Sequence, residues 1–319
     1  MGQSVPSPAR GEGDHGRWAG TSRSPVRARS PISMTSSPDQ ALAELRREVD
    51  RIDGAMVDLL VERLRIVREI AAIKRQAGEG GPAIRPGREA AMLRRLVERG
   101  GMGFPAGTLV RMWRELLAAT TRAQAPLSVA ACAPPSRPEL WDLARDHFGS
   151  TAPLQPAASC SQALRLVAEG AADLAVLPLP AEDETWWTGL LDASSRPLRI
   201  VAQLPFGPTD PRLEGCGAVV VGAIEPEPSG DDLSLIALET PAPVGRGRLL
   251  DLMAGAGLTA RWRASRRPGE MAPAIHLLEL DGFVARDEPR LAAALASGSQ
   301  HVLRCVWLGG YARPLADGG

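Results

Sequence analysis

The sequence predicts an all-α segment of three helices, then an α/β region, and then an α+β region with the element order βαββαβ. Apolar residues recur every three or four positions along residues 39–77, and runs rich in glycine and proline separate this stretch from two further helical patterns. Beyond residue 125, short apolar strand patterns alternate with short helices. A chain of 319 residues has room for two or three domains. We place the regions at 1–36, 37–125, 126–230 and 231–319.

Residues 1–36 are rich in serine, proline, glycine and arginine and contain few apolar residues, a composition typical of disorder. They show no apolar core of a signal peptide, and the sequence contains no run apolar enough to predict a membrane span. Met34 stands just before the first helical pattern. Met1 and Met34 therefore both stay candidate start positions.

Charge and cysteine content narrow the class of function. Lys plus Arg and Asp plus Glu each number 37, and aromatic residues make up 4%, so no overall basic surface predicts nucleic-acid binding. The four cysteines show neither a paired metal-binding spacing nor a dense disulfide pattern. We therefore expect a reducing, cytoplasmic environment.

The first helix is predicted over residues 39–77. Ser37, Pro38 and Gln40 fit a capping box with proline at the first helical position. At 1.5 Å per residue this helix is about 60 Å long, roughly twice the diameter of a small domain. Its own chain cannot cover so long an apolar face, which predicts a partner chain. The apolar positions are Leu42, Leu45, Val49, Ile52, Met56, Leu59, Val67, Ile70 and Ile73.

Lys74 is the single lysine among the 37 basic side chains of Lys and Arg. Because an ammonium group is a compact donor and a guanidinium a planar fork, a lysine kept at one position suggests a directed contact. Arg63 precedes Lys74 by eleven residues, so the two side chains point only about 20° apart and can approach one anion. Arg46 precedes Arg63 by seventeen residues, about 25 Å of rise. Any ligand-binding role of Arg46 is therefore predicted to lie in a partner's site.

Two shorter helices are predicted at about 87–99 and 105–124. The first carries Arg88 and Glu89, and the second places Thr120 and Gln124 on one face, four residues apart. Together with the basic residues of the first helix, these side chains suit a small dicarboxylate. A solvated, charged coiled-coil face is the alternative interpretation.

These residues carry a family resemblance. The run LAELRREVDRIDGAMVDLLVERLRIVREIAAIKRQ, then GREAAMLRRL, then RMWRELLAATTRAQ, resembles the all-helical class of chorismate mutases over residues 39–125. That resemblance implies an intertwined homodimer with two sites, each borrowing the first-helix arginine of the other subunit. It also implies an isomerase that needs no metal or other cofactor.

The resemblance also implies a role for each position. Arg63 and the partner's Arg46 would hold the two carboxylates of chorismate. Lys74 would contact the ether oxygen and a carboxylate, and Gln124 the ether oxygen from the other side. Glu89 would accept from the ring hydroxyl, with Arg88 beside it and Thr120 as the small hydroxyl residue.

The second region is predicted to contain strands near 127–131, 172–178, 198–204 and 217–221, and helices near 138–147 and 161–168. Its run ALRLVAEGAADLAVLPLP resembles the first half of prephenate dehydratases, which have a two-lobed fold like that of periplasmic binding proteins. The catalytic threonine-arginine-phenylalanine triplet of that family falls near residues 216–218, which read Cys-Gly-Ala. Dehydration needs an acid to help the hydroxide leave, so we predict no dehydratase activity. Trp186 and Trp187 are predicted to be packing residues.

The third region resembles the regulatory ACT domain that follows prephenate dehydratases. It carries LSLIALETP, LTARWRASRRPG, IHLLELDGFV and HVLRCVWLGGYARP, with helices near 247–256 and 288–295. Two motifs of that family bind phenylalanine across a dimer interface. Here they read Gly-Arg-Leu at 247–249 and Ala-Ser-Arg-Arg-Pro at 264–268. Phenylalanine as an effector and a purely structural role both stay open.

The leading prediction is therefore a chorismate mutase that converts chorismate to prephenate, fused to a degenerate dehydratase-like and ACT-like region. Two alternatives stay open: a bifunctional mutase-dehydratase, and a non-catalytic amino-acid-sensing dimer.

Overall fold

The computed structural model describes residues 37–78, 84–191, 196–208, 210–241, 244–267, 269 and 272–316. The expected disorder of residues 1–36 and the start at Met34 lie outside this part of the chain. Within it the chain divides into two compact units, the first ending at Arg63 and the second beginning at Leu64. This division falls inside the first helix, α1, which spans Pro38–Gln76.

The start of α1 follows from its sequence. The backbone N–H of Gln40 donates to Ser37 Oγ over 3.3 Å, and that of Ser37 donates to Gln40 Oε1 over 3.2 Å, so the predicted capping box is confirmed. Ala71 is the one buried residue of the helix. Twelve of its large apolar side chains are 37% to 65% exposed and are not covered within either unit. These side chains are Leu42, Leu45, Val49, Ile52, Met56, Val57, Leu59, Leu60, Val61, Ile66, Ile70 and Ile73.

Two more helices, α2 (Pro86–Gly100) and α3 (Ala106–Arg122), complete the predicted helical segment. Both pack on the sheet that follows. Leu93 of α2 and Val110 of α3 are buried in one cluster with Phe206 and Ala312. The second and third helices are thus part of the core of the second unit.

The remaining elements alternate as expected for mixed α and β structure. The helices are α4 (Glu139–Phe148), α5 (Cys160–Ala168), α6 (Arg246–Gly255) and α7 (Pro289–Ser297). The strands are β1 (Val129–Cys132), β2 (Leu154–Ala157), β3 (Leu174–Pro178), β4 (Arg199–Leu204), β5 (Ala218–Gly222), β6 (Asp232–Thr240), β7 (Ala260–Arg266), β8 (Ala274–Asp281) and β9 (Arg304–Ala312). Short 3₁₀ turns occur at Gly101–Gly103, Trp186–Leu190 and Pro211–Leu213.

All nine described strands form one sheet in the order β2-β1-β3-β5-β4-β9-β6-β8-β7. Strands β1, β2 and β3 are parallel, β5 is antiparallel to β3 and β4, and β6 to β9 form an antiparallel group. Alternate residues of β1 face opposite layers: Ala130 packs in the same cluster as α5, and Ala131 packs in the same cluster as α4. The predicted mixed sheet region after the helices is confirmed.

The contact between β4 and β9 connects strands β1–β5 with strands β6–β9, and a glycine lies at this contact. Gly309 pairs with Ile200 in the parallel β4–β9 contact, and its φ of +124° is a conformation that side chains disfavour. A Cβ there would lie 2.2 Å from the carbonyl oxygen of Ile200. The sheet therefore continues across residue 230, where the sequence predicts a domain boundary, and the boundary itself stays a prediction.

Candidate functional site

The first two predicted site residues lie on α1 before Leu64. Arg46 is exposed, and Arg63 is half-buried, with burial holding the pKa of its guanidinium below the ordinary value. Arg46 and Arg63 thus provide two cations on one continuous helix.

Lys74 lies in the last turn of α1, in the second unit. Its side chain is exposed, and within the described residues it has no carboxylate within ion-pairing distance. A cation at a helix C-terminus is favoured by the unpaired carbonyl groups there. Lys74 therefore has a free ammonium group, as a directed contact with an anion requires.

The N-terminus of α2 is fixed by Glu227. Arg85 forms an ion pair with the Glu227 carboxylate over 2.5 Å, and the same carboxylate accepts from the backbone N–H of Arg88 over 3.4 Å. Gly87 makes this close approach possible, because a Cβ there would lie 2.2 Å from the carbonyl oxygen of Glu227. The side chain of Arg88 is exposed.

Glu89 is held by a residue that the sequence analysis did not single out. Its Oε2 accepts from Arg114 Nη1 of α3 over 3.0 Å, and the two side chains are only 15% and 7% exposed. The guanidinium of Arg114 also lies 5.5 Å from the centre of the Phe206 ring. The Glu89 carboxylate is therefore anchored by a buried cation. Its predicted contact with a ring hydroxyl stays a prediction, with Oε1 as the oxygen that Arg114 leaves open.

Thr120 and Gln124 meet at the end of α3. The side-chain amide of Gln124 donates to the backbone carbonyl oxygen of Thr120 over 3.2 Å. The Thr120 hydroxyl is buried and donates to the carbonyl oxygens of Leu116 and Leu117. The contact of either side chain with a substrate stays a prediction.

Arg94 is a second arginine that the sequence analysis missed. It fixes α2 to the sheet: Nη1 donates to Ser229, and Nη2 donates to the carbonyl oxygens of Asp231 and Arg313 over 2.7 Å each. In the sequence, Arg94 directly follows Leu93, an apolar position of the second predicted helix, and this placement could have indicated an arginine next to the core. It lies at the edge of the buried face of α2, where a long side chain reaches across to neighbouring backbone.

The positions of the expected dehydratase triplet are packed with apolar groups. Cys216 precedes β5, and a Cβ at Gly217 would lie 2.4 Å from a methyl group of Leu179. Ala218 is fully buried and pairs with Leu204 and Pro178 in the sheet. Trp187 is fully buried as well, which confirms its predicted packing role.

The two motifs of the third region lie on α6 and β7. Leu249 of the first motif is buried, whereas Ser265 of the second donates from its backbone N–H to Glu182 over 3.0 Å. The last residue of that motif, Pro268, lies outside the described residues. The elements β6, α6, β7, β8, α7 and β9 follow the predicted order βαββαβ.

The described residues contain no group of three or more His, Cys, Asp or Glu side chains placed to hold a metal ion. In the same part of the chain, every helix is too short or too polar to cross a membrane.

The chain thus consists of a helical segment that carries Arg46, Arg63 and Lys74, followed by a mixed sheet with flanking helices. Residues 45–125 match the family model of chorismate mutase type II, which confirms the resemblance of the helical segment. A curated relative, the bifunctional chorismate mutase/prephenate dehydratase of Pseudomonas aeruginosa, is 30% identical over 146 residues. The match covers 45% of this chain and 40% of the relative, so the chain spans well under half the length of that relative.

Two solved structures show a general likeness. A prephenate dehydratase from Streptococcus mutans is 16% identical with a TM-score of 0.42, and the match covers 59% of this chain and 98% of that one. A prephenate dehydratase in complex with L-Phe from Arthrobacter aurescens is 18% identical with a TM-score of 0.44, and the match covers 60% of this chain and 93% of that one.

Proposed function

We propose that this chain is a chorismate mutase, an isomerase of aromatic amino acid biosynthesis that converts chorismate to prephenate. The match of residues 45–125 to the chorismate mutase type II family carries this proposal. Three basic residues support it, because Arg46, Arg63 and Lys74 lie on one helix with the spacing that a dicarboxylate shared between two chains requires.

The proposed reaction is an intramolecular rearrangement, so the protein needs no nucleophile, metal or cofactor. It acts by holding chorismate in the reactive chair-like conformer, which contributes as much as about 7–11 kcal/mol in favourable systems. Arg63 and the partner's Arg46 bind the two carboxylates through charge-assisted hydrogen bonds. Negative charge grows on the ether oxygen as its bond breaks, and donors already aimed at that oxygen stabilise the transition state more than the ground state. Lys74 and Gln124 supply those donors.

We propose further that the active form is a homodimer. The exposed apolar face of α1 supports this, since a face of that length is stable in water only when another surface covers it. A second copy of the same helix supplies a matching face. Each site then uses Arg46 from one chain and Arg63 from the other.

The C-terminal region is proposed to be an ACT-like domain after a degenerate dehydratase-like region, without dehydratase activity. The apolar packing around Gly217 and Ala218 supports this, because it leaves no acid at the triplet position to protonate a departing hydroxide. Phenylalanine is the candidate effector of the ACT-like domain, through the motifs at 247–249 and 264–268. We propose a cytoplasmic location.

One assay separates the proposal from its alternatives. Purified chain is incubated with chorismate, and prephenate and phenylpyruvate are each quantified by liquid chromatography. We expect prephenate without phenylpyruvate. Formation of both products would identify a bifunctional mutase-dehydratase, and chorismate loss no faster than in buffer would identify a non-catalytic protein.

A further inference from the structure

A cleft is formed by residues that lie far along the chain from those proposed to bind chorismate. Its volume is about 670 Å³, inside the range of roughly 300–1,000 Å³ typical of small-molecule sites. It is bounded by the 3₁₀ turn Trp186–Leu190, the first residue of β4, the start of β9, and α7 with the residues just before it. All of these elements belong to the second unit.

Arg199 is the most unusual residue of this cleft. Its side chain lines the cleft, yet the residue is only 6% exposed. Within the described residues it has no carboxylate within 4.0 Å, and its buried Nε has no hydrogen-bond partner. Its Nη1 makes only a long bond of 3.4 Å to the neighbouring carbonyl oxygen of Leu198. Burial holds its pKa below the ordinary value, partly offset by the more distant Glu225.

A buried cation without a counter-ion is costly, so a second stabilising contact is expected. Packing supplies part of it, because the guanidinium lies 5.4 Å from the centre of the Trp307 ring. An anion bound in the cleft would supply the missing charge.

The other charged groups of the cleft leave it positive. Arg286 and Arg304 join Arg199 on its lining, against Asp287 and Glu288. Glu288 is already engaged, since it accepts from Arg290 over 2.7 Å. Arg304 is held in place by Glu239 over 3.1 Å and by the carbonyl oxygen of Leu191 over 2.6 Å. With the paired Arg304 and Glu288 left out, Arg199 and Arg286 face Asp287 as the one acid of the lining that has no ion pair among the described residues.

Apolar side chains form the rest of the lining. They come from the 3₁₀ turn, α7 and β9, and include Leu190, Leu291, Leu295, Val306 and Trp307. A fully polar anion such as phosphate would leave these apolar side chains in contact with water. A carboxylate that carries one ring or one branched chain would cover them.

We propose that this cleft binds a small organic carboxylate with a single apolar body. The carboxylate pairs with Arg199, and the apolar body packs against Trp307 and Leu291. This site is separate from the chorismate site on the helical segment and from the motifs at 247–249 and 264–268.

Calorimetric titration of the full chain tests the proposal, with 3-phenylpropionate as the probe. We expect saturable binding, and binding weaker by about tenfold or more for the uncharged 3-phenylpropionamide and for inorganic phosphate. Arg199→Met should weaken binding of the acid by at least about tenfold, because a charged hydrogen bond is lost. Arg212→Met is the matched control, since that exposed arginine pairs with Asp210 and neither residue lines the cleft, so the affinity of this variant for the probe should equal that of the wild type.

Two further measurements distinguish binding in the cleft from binding at the chorismate site and from loss of the fold. Arg63→Ala should bind the probe as the wild type does, because the chorismate site is not involved. The unfolding temperature of ligand-free Arg199→Met should equal or exceed that of the wild type, since the variant removes an unpaired buried charge. Absence of saturable binding to the wild type up to about 10 mM would overturn the proposal. Equal affinity of the wild type and Arg199→Met would do the same, as would loss of binding in Arg63→Ala.

Discussion

At the scale of single residues, the proposed mechanism depends most on Lys74. Lys74→Arg keeps the positive charge but replaces a compact donor with a wide planar fork that cannot reach the ether oxygen in the same geometry. We expect kcat for chorismate to fall by roughly 100-fold, the size of effect seen when one donor to a developing oxyanion is removed. Initial rates of chorismate loss give kcat directly.

The neighbouring Arg75 provides the control for this substitution. It lies in the same last turn of α1 and has no proposed role, so Arg75→Lys should leave kcat unchanged. A Lys74→Arg variant with near-normal kcat would remove Lys74 from the mechanism.

The Glu89–Arg114 pair gives a prediction about stability. Glu89→Met leaves the guanidinium of Arg114 buried without its partner, and we expect the free energy of unfolding to fall by about 3–5 kcal/mol. Adding Arg114→Met should recover much of that loss, because the unpaired charge is then gone. Urea unfolding of Glu89→Met, Arg114→Met and the double variant measures the coupling free energy between the two side chains.

The exposed pair Arg51–Glu48 is the matched control for this cycle. Its side chains are 65% and 45% exposed, so Arg51→Met should change the free energy of unfolding by less than about 1 kcal/mol. A Glu89→Met variant as stable as the wild type would show that the ion pair does not stabilise the packing of α2 and α3.

Arg114 also shows what sequence reasoning could have found. It follows Val110 by four residues on α3, and Val110 and Arg114 are both buried. An arginine at a core-facing position of an amphipathic helix predicts a buried acidic partner, and Glu89 on the preceding helix is the available acid. The identity of that partner depends on how α2 and α3 pack, which spacing within one helix cannot give.

At the scale of elements, α3 and α4 pack around a histidine with a shifted pKa. His147 of α4 lines the same small cavity as Arg114 of α3. Burial, with a smaller contribution from the positive charge of Arg114, holds the pKa of His147 well below its ordinary value. His147 is therefore neutral in the folded chain under conditions in which it is protonated in the unfolded chain.

This shift predicts a pH dependence of stability. Above pH about 6.5 the imidazole is neutral in both states, and below it only the unfolded chain binds the proton, so stability falls as the pH falls. Relative to His147→Gln, the wild type should lose up to about 1.4 kcal/mol per pH unit below that value. Urea unfolding of both proteins between pH 7 and pH 5 measures this difference. The same pH dependence of stability in both proteins would show that the pKa of His147 is the same in the folded and the unfolded chain.

Local patterns predicted most elements because local forces define them. The capping box of α1 formed as predicted, and the helices and strands after residue 125 lie within a few residues of their predicted bounds. The exception is β2, whose four residues Leu154–Ala157 include Pro156. A proline in so short a run argues against a strand, and its pairing with β1 at the sheet edge overrides that preference.

At the scale of the whole molecule, the sequence did not predict that one sheet would contain every described strand. The join rests on the pairing of Ile200 with Gly309, residues more than a hundred positions apart. Alternation of apolar residues identifies strands but not their neighbours. The sequence shows two glycines at 309–310, but it does not show that Gly309 permits the close approach of β4 to β9.

The exposed apolar face of α1 is the feature that links the molecule to its proposed function. The proposed homodimer would cover this face and would bring Arg46 of one chain to the site of Arg63 of the other. The central claim is therefore that each catalytic site contains residues from two chains.

Subunit exchange tests that claim most directly. Arg46→Ala and Arg63→Ala should each be nearly inactive, since every site then lacks one carboxylate partner. After mixing and exchange, half of the dimers in a statistical mixture contain both variants, and one of their two sites has both arginines. Activity should then return to roughly a quarter of wild type. If native mass spectrometry confirms exchange and no activity returns, Arg46 does not act across the subunits and the shared-site account is contradicted.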